Sequence, residues 1–355
     1  MSTSALDANN LRVRIQGTID DFIEEHRPIL ANISPDTLPL IDSLNSLLQG
    51  GKRLRPAFAY WGYRATGNDD SDQVVRAVSS LEFLQACALI HDDVMDHSDT
   101  RRGKPAAHKQ FEEMHRSADW QSDALSFGNG AAILIGDLAL SWADELLFTS
   151  GLDSQALART KAIYDIMRTE LMAGQYLDLL EQVRRNTTEA QALNVIRFKS
   201  AKYTIERPLH MGAAMAHADD SVMSALSAYG LALGEAFQLR DDVLGVFGDA
   251  SITGKPAGDD LIERKHTVLV ARSLTMLTSA DANRFAALFD AAHSTETDIS
   301  ELQHFISESG ALESVETSIA EQTANALAAI DTKSITEESR QALTELAIMA
   351  TQRAF

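Results

Sequence analysis

Residues 71–96 read SDQVVRAVSSLEFLQACALIHDDVMD, and this stretch decides the fold class. Its apolar side chains fall on nearly every side of a helical projection, the pattern of a helix buried all round. Working outward, similar helix-compatible stretches cover roughly 124–150, 155–183, 188–217, 221–248 and 262–280, and period-two alternation is scarce throughout. Ser334-Ile-Thr-Glu337 has the form of a capping box opening a last helix. Only 7 prolines fall among 355 residues, so long segments run without a helix breaker. Turn formers and charges gather at 63–72, 97–106, 115–123 and 249–261, which are the expected loops. With no solenoid-period repeat and no low-complexity tract, the sequence predicts one all-α domain over residues 1–355.

Composition narrows the function. Lys and Arg number 31 against 51 Asp and Glu, a net charge of −20 that repels a polyanion over most of the surface. Nucleic acid is therefore not expected as a partner. Cys87 is the only cysteine, which excludes an intrachain disulfide and a thiolate metal cluster. The first ten residues, MSTSALDANN, have neither a basic nor an apolar signal region. The expectation is a cytoplasmic protein with no membrane anchor.

The acidic end of the opening stretch is the first candidate site. Helical spacing puts Asp92 and Asp96 one turn apart on one face, with Asp93 beside them. Taken alone this is a solvated helix end, but it follows the apolar run FLQACALI, and like charges facing an apolar neighbourhood need a cation. Carboxylate oxygens without nearby histidine or cysteine ligands suit magnesium shared with a substrate phosphate. Just beyond lies Asp99-Thr-Arg101-Arg102-Gly103-Lys104-Pro105, whose arginines can grip phosphate through bidentate forks. A second basic cluster, Gly50-Gly51-Lys52-Arg53-Leu54-Arg55-Pro56, combines glycines that admit a close ligand with Lys52 and Arg55 at helix-compatible spacing. A second acidic pair stands in Gln238-Leu-Arg240-Asp241-Asp242-Val-Leu-Gly245, followed by Gly254-Lys255-Pro256 and Gly258-Asp259-Asp260. Finally, Phe198-Lys199-Ser200-Ala201-Lys202-Tyr203 sets two lysines in a mostly apolar helix, where they require anionic partners, and Lys265 follows the acidic loop.

In this order, GGKRLRP, LIHDDVMD with RRGKP, FKSAKYT, and FQLRDD with GKPAGDD resemble the trans-isoprenyl diphosphate synthases, most of all the geranylgeranyl diphosphate synthases, over about residues 45–270. The resemblance implies an all-helical, single-domain bundle around a deep cavity, a homodimer, and three Mg2+ ions held by two facing aspartate-rich motifs. It assigns Asp92 and Asp96 to metal with Asp93 in support, and Asp241 to the third ion with Asp242 nearby. Arg101, Lys199, Lys255 and Lys265 would contact the allylic diphosphate; Lys52, Arg55 and Arg102 would hold isopentenyl diphosphate. Ser200 and Gln238 would favour the carbocation. Two positions depart from the family pattern. Gln85 stands where many members have histidine, so an amide would serve the isopentenyl diphosphate pocket. Gly245 replaces the last aspartate of the second motif, and Asp249 is a candidate substitute.

One turn before Asp92 lie Cys87 and Ala88, where family farnesyl synthases commonly carry bulky aromatics. Small residues there leave room for a longer tail, so the expected product has twenty carbons, with Leu84, Leu81 and Ser80 as deeper stops; farnesyl or longer-chain synthesis is the alternative. Rival classes are a terpene cyclase, which has no need of the second diphosphate site that Lys52 and Arg55 supply, and a non-catalytic regulatory subunit, against which the retained aspartates speak. Residues 1–40 and those beyond about 280 carry no motif and read as helical packing.

Overall fold

Asp72–Met95 forms the expected buried helix in the computed structural model, which describes residues 4–184, 188–248, 257–291 and 295–352. The Ser71 hydroxyl accepts from the Val74 N–H and so caps the first turn. Val74, Val78, Leu81, Phe83, Leu84 and Ile90 are at most 2% exposed. Ser79 and Ser80 are tolerated among them because their hydroxyls bond back to the Val75 and Ala77 carbonyls. This helix is long and apolar enough to cross a membrane, yet most of it is buried inside the protein.

About 80% of the chain is helical, which makes the fold all-α as expected. The described residues divide into two compact units, Met1–Tyr60 with Asp69–Leu157, and Trp61–Asn68 with Ala158–Phe355. In the first unit, helices Leu11–Ile33, Asp72–Met95 and Ala124–Phe148 pack around Phe22, Phe83 and Trp142, with ring centroids 5.1 Å apart for Phe22–Phe83 and 5.9 Å for Phe22–Trp142. In the second, helix Asp220–Phe247 packs against helix Ala311–Ile330 and the segment Ile196–Glu206. Val243, Val246, Leu269, Phe285, Leu302, Ile306 and Val315 fill a core there.

Four local expectations need correction. Residues 188–217 are helical, but Ile196–Glu206 winds as a wider π-helix between Glu189–Val195 and Arg207–Met215. Backbone packing stabilises the widening: a Cβ on Gly174 would lie 2.4 Å from the Lys199 nitrogen, and one on Gly234 would lie 2.5 Å from the Ala201 Cα. The stretch 262–280 is not one helix. It breaks at Leu277, because the Thr267 and Thr278 hydroxyls each accept an N–H that opens a helix, Val268–Met276 and Ser279–Phe289 respectively. The last helix is Glu337–Thr351 with Thr336 as its cap, not Ser334. The Thr336 N–H is held by the Ala65 carbonyl at 3.0 Å, so Glu337 enters the first turn instead of reaching back. Within the expected loop 97–106, Thr100–Arg101 pairs with Lys104–Pro105 in a short antiparallel hairpin. Its two turn residues, Arg102 and Gly103, have φ of 53° and 72°, as a mirror-image two-residue turn requires.

Candidate active site

The first aspartates close the Asp72–Met95 helix. Asp96 is its cap residue, and its N–H bonds the Asp92 carbonyl at 2.8 Å. The side chains differ sharply in environment: Asp93 is 2% exposed, whereas Asp92 keeps 20% of its side chain accessible. Arg101, carried on the hairpin, donates to Asp93 Oδ1 through Nε at 2.9 Å and also through Nη2, and stands 3.7 Å from Asp92 Oδ2. Asp93 is thus a buried anchor for Arg101.

The basic clusters of the same unit come together. Arg102 donates from Nη1 to the Leu47 carbonyl at 2.9 Å and lies over Gly51, where a Cβ would sit 3.4 Å from Nη2. Burial draws its pKa below the usual guanidinium value; Glu82 opposes that drop, while Arg53, Arg101 and Arg55 add to it. Such a gathering of guanidiniums is a site for a multiply charged anion. Helix Leu54–Arg64 starts only at Leu54, so Lys52 lies in the preceding loop and does not share a helix face with Arg55. Gly50 and Gly51, with φ of 70° and 92°, make the turn that puts it there. Gln85 is partly buried on the Asp72–Met95 helix, one turn after Glu82.

In the second unit the two lysines of the π-helical segment have the anionic partners the sequence demanded. Lys199 Nζ is 2.6 Å from Asp178 Oδ2, and Lys202 Nζ is 2.9 Å from Glu170 Oε1. Ser200 sits beside Lys199 on the same segment and is partly exposed. Gln238 donates from Nε2 to Asp242 Oδ1 at 2.8 Å, one turn on. Burial raises Asp242 to a pKa of about 8, with the Asp260 and Asp241 charges adding to the rise and the Gln238 hydrogen bond and Lys265 opposing it. Lys265 Nζ stands 3.5 Å from Asp260 Oδ1 and 2.6 Å from Glu263 Oε2. Lys255 and Asp249 lie outside the described residues.

Gly245 acquires a physical reason. A Cβ at this position would fall 2.0 Å from Asp260 Oδ2, so the missing aspartate leaves the space that the Asp260 carboxylate occupies. Asp260 therefore restores negative charge beside Asp241 and Asp242 from a different element, the short helix Asp259–Ile262. Asp260 and Arg53 stand inside charged motifs that mark no role for either, and nothing in the sequence singles out Asp178 or Glu82. Only the charged loop after FQLRDD hinted at Asp260; Asp178 and Glu82 sit in helical stretches with no local signal.

The donor set fits magnesium. Asp241, Asp242 and Asp260 gather carboxylate oxygens in one place, and oxygen is the ligand magnesium prefers. Among the described residues no group of three or more His, Cys, Asp or Glu side chains is arranged to hold a metal ion by itself.

An all-α architecture that sets one acidic helix end beside clustered guanidiniums has the chemistry of a diphosphate-handling helical enzyme. The family profile described as Polyprenyl synthetase matches residues 39–306. Geranylgeranyl diphosphate synthase of Methanosarcina mazei is 31% identical over 74% of this chain and 74% of its own. Geranylfarnesyl diphosphate synthase of Aeropyrum pernix is 30% identical over 84% of this chain and 87% of its own. Among solved structures, geranylgeranyl pyrophosphate synthase from Corynebacterium glutamicum complexed with isoprenyl diphosphate and magnesium superposes with a TM-score of 0.92 at 41% identity, covering 96% of this chain and 98% of that one. The chain belongs to the polyprenyl synthetase family. It is a prenyltransferase of isoprenoid biosynthesis.

Proposed function

We propose that this prenyltransferase uses three Mg2+ ions per active site to condense allylic diphosphates with isopentenyl diphosphate, and that its main product is geranylgeranyl diphosphate. The observation that carries the reading is the pairing, within one unit, of the Asp92–Asp96 helix end with the Arg55, Arg101 and Arg102 cluster. One diphosphate needs a cation held by carboxylates, and a second needs guanidiniums. A cyclase needs only the first.

In this reading Asp92, Asp96 and Asp241 hold the metal, and Asp93 holds Arg101. Bound magnesium neutralises charge on the departing diphosphate. Arg101, Lys199, Lys255 and Lys265 grip that diphosphate, so that the allylic C–O bond breaks with its electron pair passing to the leaving oxygen. Lys199 then exchanges Asp178 for phosphate oxygen. Lys52, Arg55, Gln85 and Arg102 hold isopentenyl diphosphate with its double bond towards the allylic carbon. That bond attacks, a new C–C bond forms, and the released pyrophosphate takes the proton whose loss restores an alkene. Ser200 and the Gln238 amide stabilise the cation as neutral dipoles that do not capture it.

Incubation with isopentenyl diphosphate and each allylic starter, with and without Mg2+, followed by product sizing, tests the reading. A magnesium-dependent C20 linear product is expected; a cyclic product or no turnover overturns it. A C25 main product would favour the second reading, longer-chain synthesis, which the Aeropyrum relative supports.

Product length supplies a further test. The Cys87 thiol lies 3.7 Å from His91 Nδ1 and is 5% exposed, and burial, with the Asp137 charge adding, raises its pKa to about 12. Cys87 is therefore packed away, and Leu84, Leu81 and Ser80 are buried deeper on the same helix. Ala88 is partly exposed, which supports it as the position where added bulk would enter the tail's path. Ala88→Phe is expected to shift the main product from C20 to C15; an unchanged spectrum rejects this floor.

A homodimer and a cytoplasmic location belong to the same proposal, as does the reading of residues 1–355 as one catalytic domain, supported by a family match that extends into both units. Helix Ala124–Phe148 exposes Ile133 and Leu134 at 46% and 61%, together with Leu125 and Phe127, an apolar face that a second copy would cover. Leu134→Glu should halve the mass measured by analytical ultracentrifugation, and a dimer of unchanged stability would exclude this face.

A further inference from the structure

Arg53 stands in the middle of GGKRLRP, yet its guanidinium points into the protein. Its side chain is 3% exposed. Nη1 donates to Glu82, and Nη2 donates to Gln16 Oε1 and to the Leu48 carbonyl, each at 2.5 Å. The central guanidinium of the motif is thus committed to internal partners from three different elements. Glu82 is buried to the same degree, with 7% of its side chain exposed, on the helix that also carries Gln85 and Asp92.

The backbone around Arg53 explains why such an anchor is needed. Gly50, Gly51 and Arg53 all have positive φ, 70°, 92° and 55°, and at Arg53 this is a conformation that an L side chain resists. A loop in that state holds only where its surroundings over-determine it. The Arg53 guanidinium reaches back to the Leu48 carbonyl, at the end of helix Leu38–Leu48, and across to Glu82. The turn is thereby closed onto the end of one helix and tied to a second, Asp72–Met95. Arg102 is seated over the same loop through the Leu47 carbonyl and Gly51.

We propose that the buried Arg53–Glu82 pair is a positioning device: it fixes the Gly50–Arg53 loop, and the helix start that follows it, in register with the Asp72–Met95 helix, so that Lys52, Arg55 and Arg102 address one diphosphate. It therefore sets the affinity for isopentenyl diphosphate without touching that substrate. The inference rests on the assignment of those three residues to isopentenyl diphosphate. A buried pair can also be mere structure, and the two roles separate experimentally, because replacing both partners of such a pair by apolar residues of similar volume is often neutral for stability, whereas removing one strands a charge.

The test compares wild type, Glu82→Asp, and the double variant Arg53→Met/Glu82→Leu, measuring KM for isopentenyl diphosphate, KM for the allylic substrate, and the urea midpoint. A positioning role predicts that the double variant keeps its urea midpoint and its allylic KM while KM for isopentenyl diphosphate rises by about tenfold to a hundredfold, the scale of misplacement by about 1 Å. Glu82→Asp keeps the charge but withdraws it by one methylene, and should raise the same KM selectively. It provides the reading if the double variant does not fold. Unchanged KM for isopentenyl diphosphate in a folded variant overturns the proposal, as does an equal rise in both KM values. If wild type itself shows no saturable dependence on isopentenyl diphosphate, the underlying assignment falls, and the inference with it.

Discussion

Asp92→Asn lowers kcat by about 10²–10³-fold, the scale seen when one preorganised charge-stabilising group is removed, and leaves the protein folded. The two neighbouring aspartates make this expectation specific. Asp93 is buried and held by Arg101, so its loss would strand a guanidinium, whereas Asp92 is partly accessible and 3.7 Å from the same arginine. Asparagine preserves the shape of Asp92 and its place on the helix end while removing the charge that a cation needs. The proposed reading therefore requires a fall in kcat accompanied by a higher Mg2+ concentration for half-maximal rate, with an unchanged thermal midpoint. Full activity at ordinary Mg2+ would remove Asp92 from the metal site.

Gly245→Asp would restore the usual spelling of the second motif, and it is expected to damage the enzyme. The new Cβ would lie 2.0 Å from Asp260 Oδ2 and 2.4 Å from its Cγ, so Asp260 must leave and a further carboxylate must enter beside Asp241 and the buried Asp242. Overpacking of this kind costs about 1–3 kcal/mol before the like charges are counted. Displacing a carboxylate from the second acidic site should lower kcat by about 10²-fold. Thermal denaturation and steady-state kinetics read the two effects separately. A gain in activity would show that the glycine is a defect; the expected loss would show that Gly245 and Asp260 work as a pair.

Both expectations depend on contacts that differ in how far the sequence discloses them. Asp92, Asp93 and Asp96 were legible because a helix converts spacing of three and four residues into one face, and the apolar run before them fixes the helix. The need of Lys199 and Lys202 for carboxylates was legible from their apolar surroundings, but Asp178 and Glu170 were not, since nothing local marks which acidic residue, 21 or 32 positions away, will face them. The last helix was legible in kind and misread in its cap, because the Ala65 carbonyl, far away in sequence, selects Thr336.

The sequence by itself determined the all-α class, the acidic helix end and the family, since each rests on periodicity or on residues adjacent in the chain. Only the tertiary structure decided that Arg53 turns inward to Glu82 while its neighbours remain with the guanidinium cluster, that residues 196–206 widen into a π-helix against glycines of two other helices, and that Asp260 fills the space left at Gly245. These are matters of close packing between distant segments, where a few tenths of an ångström decide what fits, and no pattern along a single strand of sequence encodes that distance.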